Sequence, residues 1–239
     1  MEKVALITGG SRGIGAAVAR RLREDGCQVV LGYEKSQAQA EELARELGGT
    51  ALQADVSHPA QVRAMVDSVL EKFCQLDILV CAAGVAWQGL TQDMTWEDYR
   101  RVMGVDLDGT FFCCQAVLPQ MIRQRSGRIV TLSSMWGQVG GSCEAAYSAA
   151  KGGVIALTKA LSKEVAPSGL TVNCVSPGVI DTDMVRPLGA ETLADLAEET
   201  PLGRLGTPED VAACVSFLCS PAGAFLTGQV IAPNGGLVM

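Results

Sequence analysis

The run Val4-Ala5-Leu6-Ile7-Thr8 leads directly into Gly9-Gly10-Ser11-Arg12-Gly13-Ile14-Gly15 and then Ala16, Ala17, Val18, Ala19 and Leu22. No other stretch limits the possible folds as tightly. A short continuous apolar run is the pattern of a strand covered on both faces, and the residues after Gly15 recur at helical spacing. Strand, glycine turn and helix, in that order, predict a cradle for the phosphates of a dinucleotide. Gly9, Gly13 and Gly15 would let backbone approach the pyrophosphate at the helix N-terminus, with Ser11, Arg12 and Ile14 in the same loop. A glycine loop alone also serves as an ordinary tight turn; here the flanking elements favour the cradle.

The alternation continues along the chain. Strands are predicted at 28–32, 51–54, 77–80, 128–132, 170–175 and 229–231. Helices are predicted at 38–47 (ended by Gly48-Gly49), 62–73, 95–124, 145–165 and 208–218. Repeated β-α units without a shift in composition predict an α/β protein: a single-domain, Rossmann-type, doubly wound parallel sheet with helices on both faces. The 239 residues, 48% of them hydrophobic and 27 of them glycine, supply enough apolar material for one large core. The cofactor half is expected at about 1–130 and the catalytic and substrate half at about 131–239.

A net charge of −7 disfavours nucleic acid and anionic membranes as partners. No apolar stretch reaches the roughly 18 residues of a membrane span. The opening residues run straight into a strand with no signal-like segment, so a cytoplasmic setting is expected. Nine cysteines without a Cys-x-x-Cys pair, beside the single His58, read as small buried hydrophobes in a reducing compartment, and no metal site is expected.

Further cofactor contacts follow from strand ends. The second strand runs into Tyr33-Glu34-Lys35-Ser36, where an NAD site places a carboxylate on the adenosine ribose. With Tyr33 at that position and Arg12 and Lys35 beside it, NADP(H) is preferred over NAD(H), whereas Glu34, one residue on, is the feature that suits NAD. Asp55, followed by Val56, is placed to accept from an adenine amino group or to cap a turn. Cys81-Ala82-Ala83-Gly84 gives a small-residue turn open to the cofactor. Pro177-Gly178-Val179-Ile180-Asp181-Thr182 offers backbone and a hydroxyl to a nicotinamide amide, and 183–204 reads as a mobile lid.

The chemistry is carried by Tyr147 and Lys151. Four residues apart on one helix, they point the same way. An ammonium beside a phenol favours the phenolate, so the tyrosine pKa is expected to move from about 10 toward neutrality and make the hydroxyl a usable acid. Ser134, thirteen residues before Tyr147 at the end of a predicted strand, brings a second hydroxyl to the same carbonyl oxygen.

With these pieces in order the chain resembles the short-chain dehydrogenase/reductase family over essentially its whole length. The resemblance rests on residues 8–15, Asp55-Val56, Gly84, Ser134, Tyr147, Lys151, Pro177-Gly178 with Thr182, and Asn234-Gly235-Gly236. It implies that Tyr147 is the general acid, that Lys151 lowers its pKa and holds the nicotinamide ribose, and that Ser134 orients the carbonyl. It also implies a homotetramer or homodimer built on the helices near 95–124 and 145–165. The family's Asn-Asn-Ala-Gly is Cys81-Ala82-Ala83-Gly84 here, and its fourth catalytic position, an Asn that holds a water beside the lysine, is Asp106. An aspartate there either holds the same water or pairs with Lys151 and weakens its effect on Tyr147.

Within the family the chain is most similar to 3-oxoacyl-acyl-carrier-protein reductases, through Ile180-Asp181-Thr182-Asp183-Met184 and Pro201-Leu202-Gly203-Arg204. That implies a carrier-bound carbonyl substrate, with Arg125 matching one carrier-facing arginine and Ser168 standing at the other. Ser134-Met135-Trp136-Gly137 and Gly141-Ser142-Cys143-Glu144 also resemble elongation factor P 5-aminopentanone reductases. In that reading Glu144 faces an amine on a small substrate; otherwise it is a helix-start carboxylate. Asp106 motivates a third reading, a cofactor-binding regulatory protein with weak catalysis.

Overall fold

A computed structural model describes residues 2–239. Seven parallel strands form one sheet in the order β3-β2-β1-β4-β5-β6-β7. The strands are β1 (Val4–Thr8), β2 (Gln28–Tyr33), β3 (Thr50–Gln53), β4 (Ile78–Cys81), β5 (Gly127–Leu132), β6 (Leu170–Val175) and β7 (Val230–Ile231). The helices are α1 (Gly13–Glu24), α2 (Gln37–Leu47), α3 (Pro59–Phe73), α4 (Trp96–Met103), α5 (Gly109–Gln124), α6 (Met135–Val139), α7 (Ala145–Val165), α8 (Ala190–Glu199) and α9 (Pro208–Cys219). The expected architecture is present, with strand and helix ends shifted by at most three residues, apart from the helix over 95–124.

β1 shows why the sheet is covered on both faces. Ala5 and Ile7 join the core formed with α1 and α9, while Val4 and Leu6 join the core formed with α3 and α5. Alternate side chains leave opposite faces of a strand, so an unbroken apolar run needs two cores. Each large aliphatic residue buried in this way contributes about 1.5–3 kcal/mol. Six cysteines, Cys27, Cys81, Cys113, Cys114, Cys174 and Cys219, are buried, as expected of small hydrophobes, whereas Cys74 is exposed and Cys143 and Cys214 are partly so.

The expected long helix over 95–124 is a correction. It is broken into α4 and α5 by a π-helical turn, Gly104–Asp108. A π turn holds more residues per turn than an α-helix, which swings its side chains out of the α-helical pattern, and Asp106 is driven fully inside. The expected lid contains α8, none of whose residues is buried. No helix among the described residues is long and apolar enough to cross a membrane.

α9 starts on a reciprocal cap. Thr207 Oγ1 accepts from the Asp210 N–H at 3.2 Å and Asp210 Oδ2 accepts from the Thr207 N–H at 2.8 Å. Arg204 reaches the same carboxylate at 2.7 Å. Its hydrogen bonds, with those of Thr207, bring the Asp210 pKa down from 3.8 to about 2. Thr207→Ala is expected to cost about 1 kcal/mol, read as a lower denaturant midpoint with unchanged slope. Because the folded carboxyl is depressed, the contribution of Asp210 is present above pH 3.8 and is lost as pH falls toward 2.

Candidate active site

The sheet order reverses between β1 and β4, because the chain leaves β1 toward β2 and leaves β4 toward β5. Loops at these C-terminal ends part and open a crevice. The glycine loop forms one wall. Gly9 has φ +63°, and a Cβ there would lie 2.8 Å from the Ala83 backbone. A side chain on Gly15 would strike the Gly9 carbonyl oxygen. α1 begins with no side-chain cap and no acidic residue in its first turn. Its first N–H groups and the positive end of its dipole are therefore available to an anion.

A cavity of about 450 Å3 runs from this loop along the strand ends. Gly9, Ser11, Arg12, Gly13, Ile14, Gly15, Tyr33, Lys35, Asp55, Val56, Ala82, Gly84 and Thr182 all line it, as expected from the sequence. Val85, Arg101, Val105 and Leu132 line it as well and carry no motif that singles them out. Leu132 is there because it ends β5, and Val105 because it lies on the π turn. Pro177, Gly178 and Ile180, expected to face the cofactor, do not line the cavity. The Pro177 carbonyl accepts from the Met135 N–H at 2.9 Å, the Gly178 N–H donates to the Pro233 carbonyl at 3.2 Å, and Ile180 is buried in a bridge with Gly206.

Two side chains that line the cavity are already engaged. Lys35 Nζ pairs with Glu34 Oε1 at 2.9 Å. Asp55 Oδ1 accepts from both the N–H and the hydroxyl of Ser57, at 2.9 and 2.7 Å. Asp55 thus caps a turn. Burial works to raise its pKa, but the Ser57 bonds and His58 outweigh it and hold the carboxyl low.

β5 and α7 bring Ser134 and Tyr147 together. The polypeptide leaves β5 through Ser133 and Ser134, where Ser134 caps α6. Its Oγ accepts from the Trp136 N–H at 3.2 Å, which leaves its own proton free to be donated. Tyr147, on the first turns of α7, interacts with the Ser134 hydroxyl. Lys151 follows one turn later, its Nζ 5.5 Å from the Tyr147 ring centre. Lys151 is buried and donates to the Leu132 carbonyl at 3.1 Å. Its helix is locked to β5 by Ser133 Oγ, which donates to the Lys151 carbonyl at 2.9 Å.

Asp106 completes the cluster. Its Oδ1 lies 2.8 Å from Lys151 Nζ, and its Oδ2 accepts from the Val85 N–H at 3.1 Å. The contact with Lys151 is one of charge: Oδ1 has no aligned hydrogen-bond donor. Burial works to lower the Lys151 pKa, but Asp106 and Tyr147 outweigh it and hold the ammonium above its ordinary value. The expected acidification of Tyr147 is therefore corrected. Burial pushes its pKa up from 10.0, Lys151 opposes this, and Asp106 adds to the rise. The motif placed the cation correctly; the carboxylate that takes up its charge came from another helix.

Glu144 sits at the start of α7 without capping it. Burial raises its carboxyl, against a hydrogen bond from the Trp136 side chain. Beside it, Cys143 has φ +62°, and its carbonyl accepts from the Gly89 N–H at 2.8 Å. That bond ties the loop after β4 to the start of the catalytic helix.

A family model described as enoyl-(acyl carrier protein) reductase matches residues 9–238. The chain belongs to the short-chain dehydrogenase/reductase family. It is 42% identical to the 3-oxoacyl-[acyl-carrier-protein] reductase FabG of Staphylococcus aureus (strain Mu50), covering 100% of this chain and 99% of the relative. It is also 42% identical to a 3-oxoacyl-[acyl-carrier-protein] reductase of Synechocystis, covering 99% and 97%. FabG of Vibrio cholerae is 40% identical, covering 99% and 98%.

Gly15→Ala forces a methyl against the Gly9 carbonyl, an overpacking of about 1–3 kcal/mol. If the loop opens to relieve it, cofactor affinity falls about tenfold or more, measurable by nucleotide titration of the folded variant.

Proposed function

We propose that this chain is an NADPH-dependent 3-oxoacyl-[acyl-carrier-protein] reductase. The observation that carries the reading is that Ser134, at the end of β5, and Tyr147, on the first turns of α7, lie beside each other next to the crevice at the strand ends. The full-length relatives named for this activity support it.

The residues present fit the cofactor. The uncapped α1 N-terminus and the glycine cradle would hold the pyrophosphate, the ends of β2 and β3 the adenosine, and Thr182 the nicotinamide end, with Lys151 buried behind the Leu132 end of β5. When bound, the reduced nicotinamide supplies the hydride. Ser134 donates a hydrogen bond to the ketone oxygen and fixes its position. Tyr147 gives its proton to that oxygen as negative charge develops there. Lys151 keeps its own proton and anchors the helix that carries Tyr147.

Arg12 and Lys35 supply positive charge for a 2′-phosphate, and Glu34 competes for Lys35. Arg125, at the end of α5, offers a cation to an acidic carrier. Phe111 and Ile122, exposed on α5, support a homotetramer or homodimer joined through α5 and α7. Nine free thiols suit a cytoplasmic setting. A second reading, reduction of a small amine-bearing ketone, rests on Glu144, which is half-buried and free of any capping duty.

Steady-state oxidation of NADPH is expected with a short 3-oxoacyl thioester, faster than with a 2-enoyl thioester or an amino-ketone of similar length. Preference for the amino-ketone, lost in Glu144→Gln, overturns the first reading in favour of the second. Tyr147→Phe is expected to lower kcat at least about a hundredfold while nucleotide affinity is unchanged. Glu34→Gln releases Lys35 from an exposed pair of about 0.2–1 kcal/mol. The kcat/KM ratio for NADPH over NADH then rises by up to about fivefold.

A further inference from the structure

The charge balance around Tyr147 reaches beyond the proposed reaction to its direction. Lys151 Nζ donates to the Leu132 carbonyl and pairs with Asp106 Oδ1. Asp106 is wholly buried on the π turn. Its Oδ2 is fixed by the Val85 N–H, and its backbone carbonyl accepts from Thr110 Oγ1 at 2.8 Å. A Cβ on Gly84 would come 2.9 Å from Oδ1 and 3.4 Å from Nζ, so no larger residue at 84 leaves this pair room. The ammonium thus stands between a carboxylate 2.8 Å away and the Tyr147 ring, whose centre is 5.5 Å away, and its charge is shared between them.

We propose that Asp106 is a positioning residue that offsets the Lys151 charge, keeps Tyr147 in its phenol form, and biases the site toward carbonyl reduction over alcohol oxidation. The proposal rests on the reductase reading above. Reduction needs the phenol: its O–H bond breaks, an O–H bond forms on the substrate oxygen, and the phenolate left behind regains a proton from water. Oxidation needs the phenolate as base. A buried carboxylate 2.8 Å from the ammonium offsets the cation that favours the phenolate and, as a like charge, itself disfavours that second anion.

The other groups facing the phenol do not reverse this balance. Glu144, on the same helix, is a further anion and acts in the same direction. The Ser134 hydroxyl, from the end of β5, acts the other way, as does Lys151 itself. Cys174, on β6, faces Lys151 and is held as a thiol by burial. The remaining tyrosines are Tyr33, on β2, and Tyr99, on α4.

Asp106→Asn keeps the shape and removes the charge. With saturating cofactor, the alkaline limb of ketone reduction is expected to move about one unit lower in this variant. The onset of secondary-alcohol oxidation is expected to move down by the same amount. Ultraviolet titration of tyrosinate gives a readout independent of turnover. The difference between the unmodified protein and Tyr147→Phe isolates Tyr147, whose titration is expected at or above the ordinary tyrosine value, and Asp106→Asn brings it down. Superimposable pH profiles and titrations for the unmodified protein and Asp106→Asn overturn the proposal while leaving the reductase reading intact. Shifted titrations without turnover on any ketone support the charge assignment and overturn the reductase reading instead. If Asp106→Asn does not fold, the difference titration of the unmodified protein decides: a Tyr147 titrating near neutrality overturns the proposal.

Discussion

A buried ammonium holds this site together. Lys151 is on α7, yet its Nζ is held by the carbonyl that ends β5 and by a carboxylate from the π turn between α4 and α5. An ammonium out of water is costly unless paired, so these elements are bound to one arrangement. Removing Asp106 leaves an uncompensated cation beside the phenol, and removing Lys151 leaves an uncompensated anion. Tyr147, one turn before Lys151, and Ser134, two residues beyond Leu132, inherit their positions from this anchor. The crevice opens for a separate reason, the reversal of strand order beside a glycine loop, and the two devices meet at the ends of β4 and β5 and at the π turn.

The parts legible from sequence are those set by short-range periodicity. The apolar run at Val4, the glycines after it and the spacing of Tyr147 and Lys151 each state a local geometry, and the fold places them as read. What the fold had to decide were the partners of charged side chains. Lys35 is taken up by its own neighbour Glu34, and Asp55, open in the sequence to an adenine contact or a turn, closes a turn on Ser57. The four-residue spacing alone gives Tyr147 its neighbouring cation; that Asp106, 45 positions before Lys151, pairs with the cation was one of two duties open to it in the sequence, and only the fold selects it. The π turn carries no pattern of its own: the apolar residues from Val102 to Ile122 fit an unbroken helix almost as well.

That turn also separates two allegiances. α4 packs on α7, whereas α5 packs on α3 and the sheet. An uninterrupted helix advances 100° per residue and binds both its ends to one rotational phase. The wide turn at Gly104–Asp108 breaks that phase, so each half can seat its own apolar stripe. The aspartate at the slip carries neither stripe. It is free to turn inward because the helix around it has stopped keeping count, and the one carboxylate that reaches the ammonium enters through a fault in the winding.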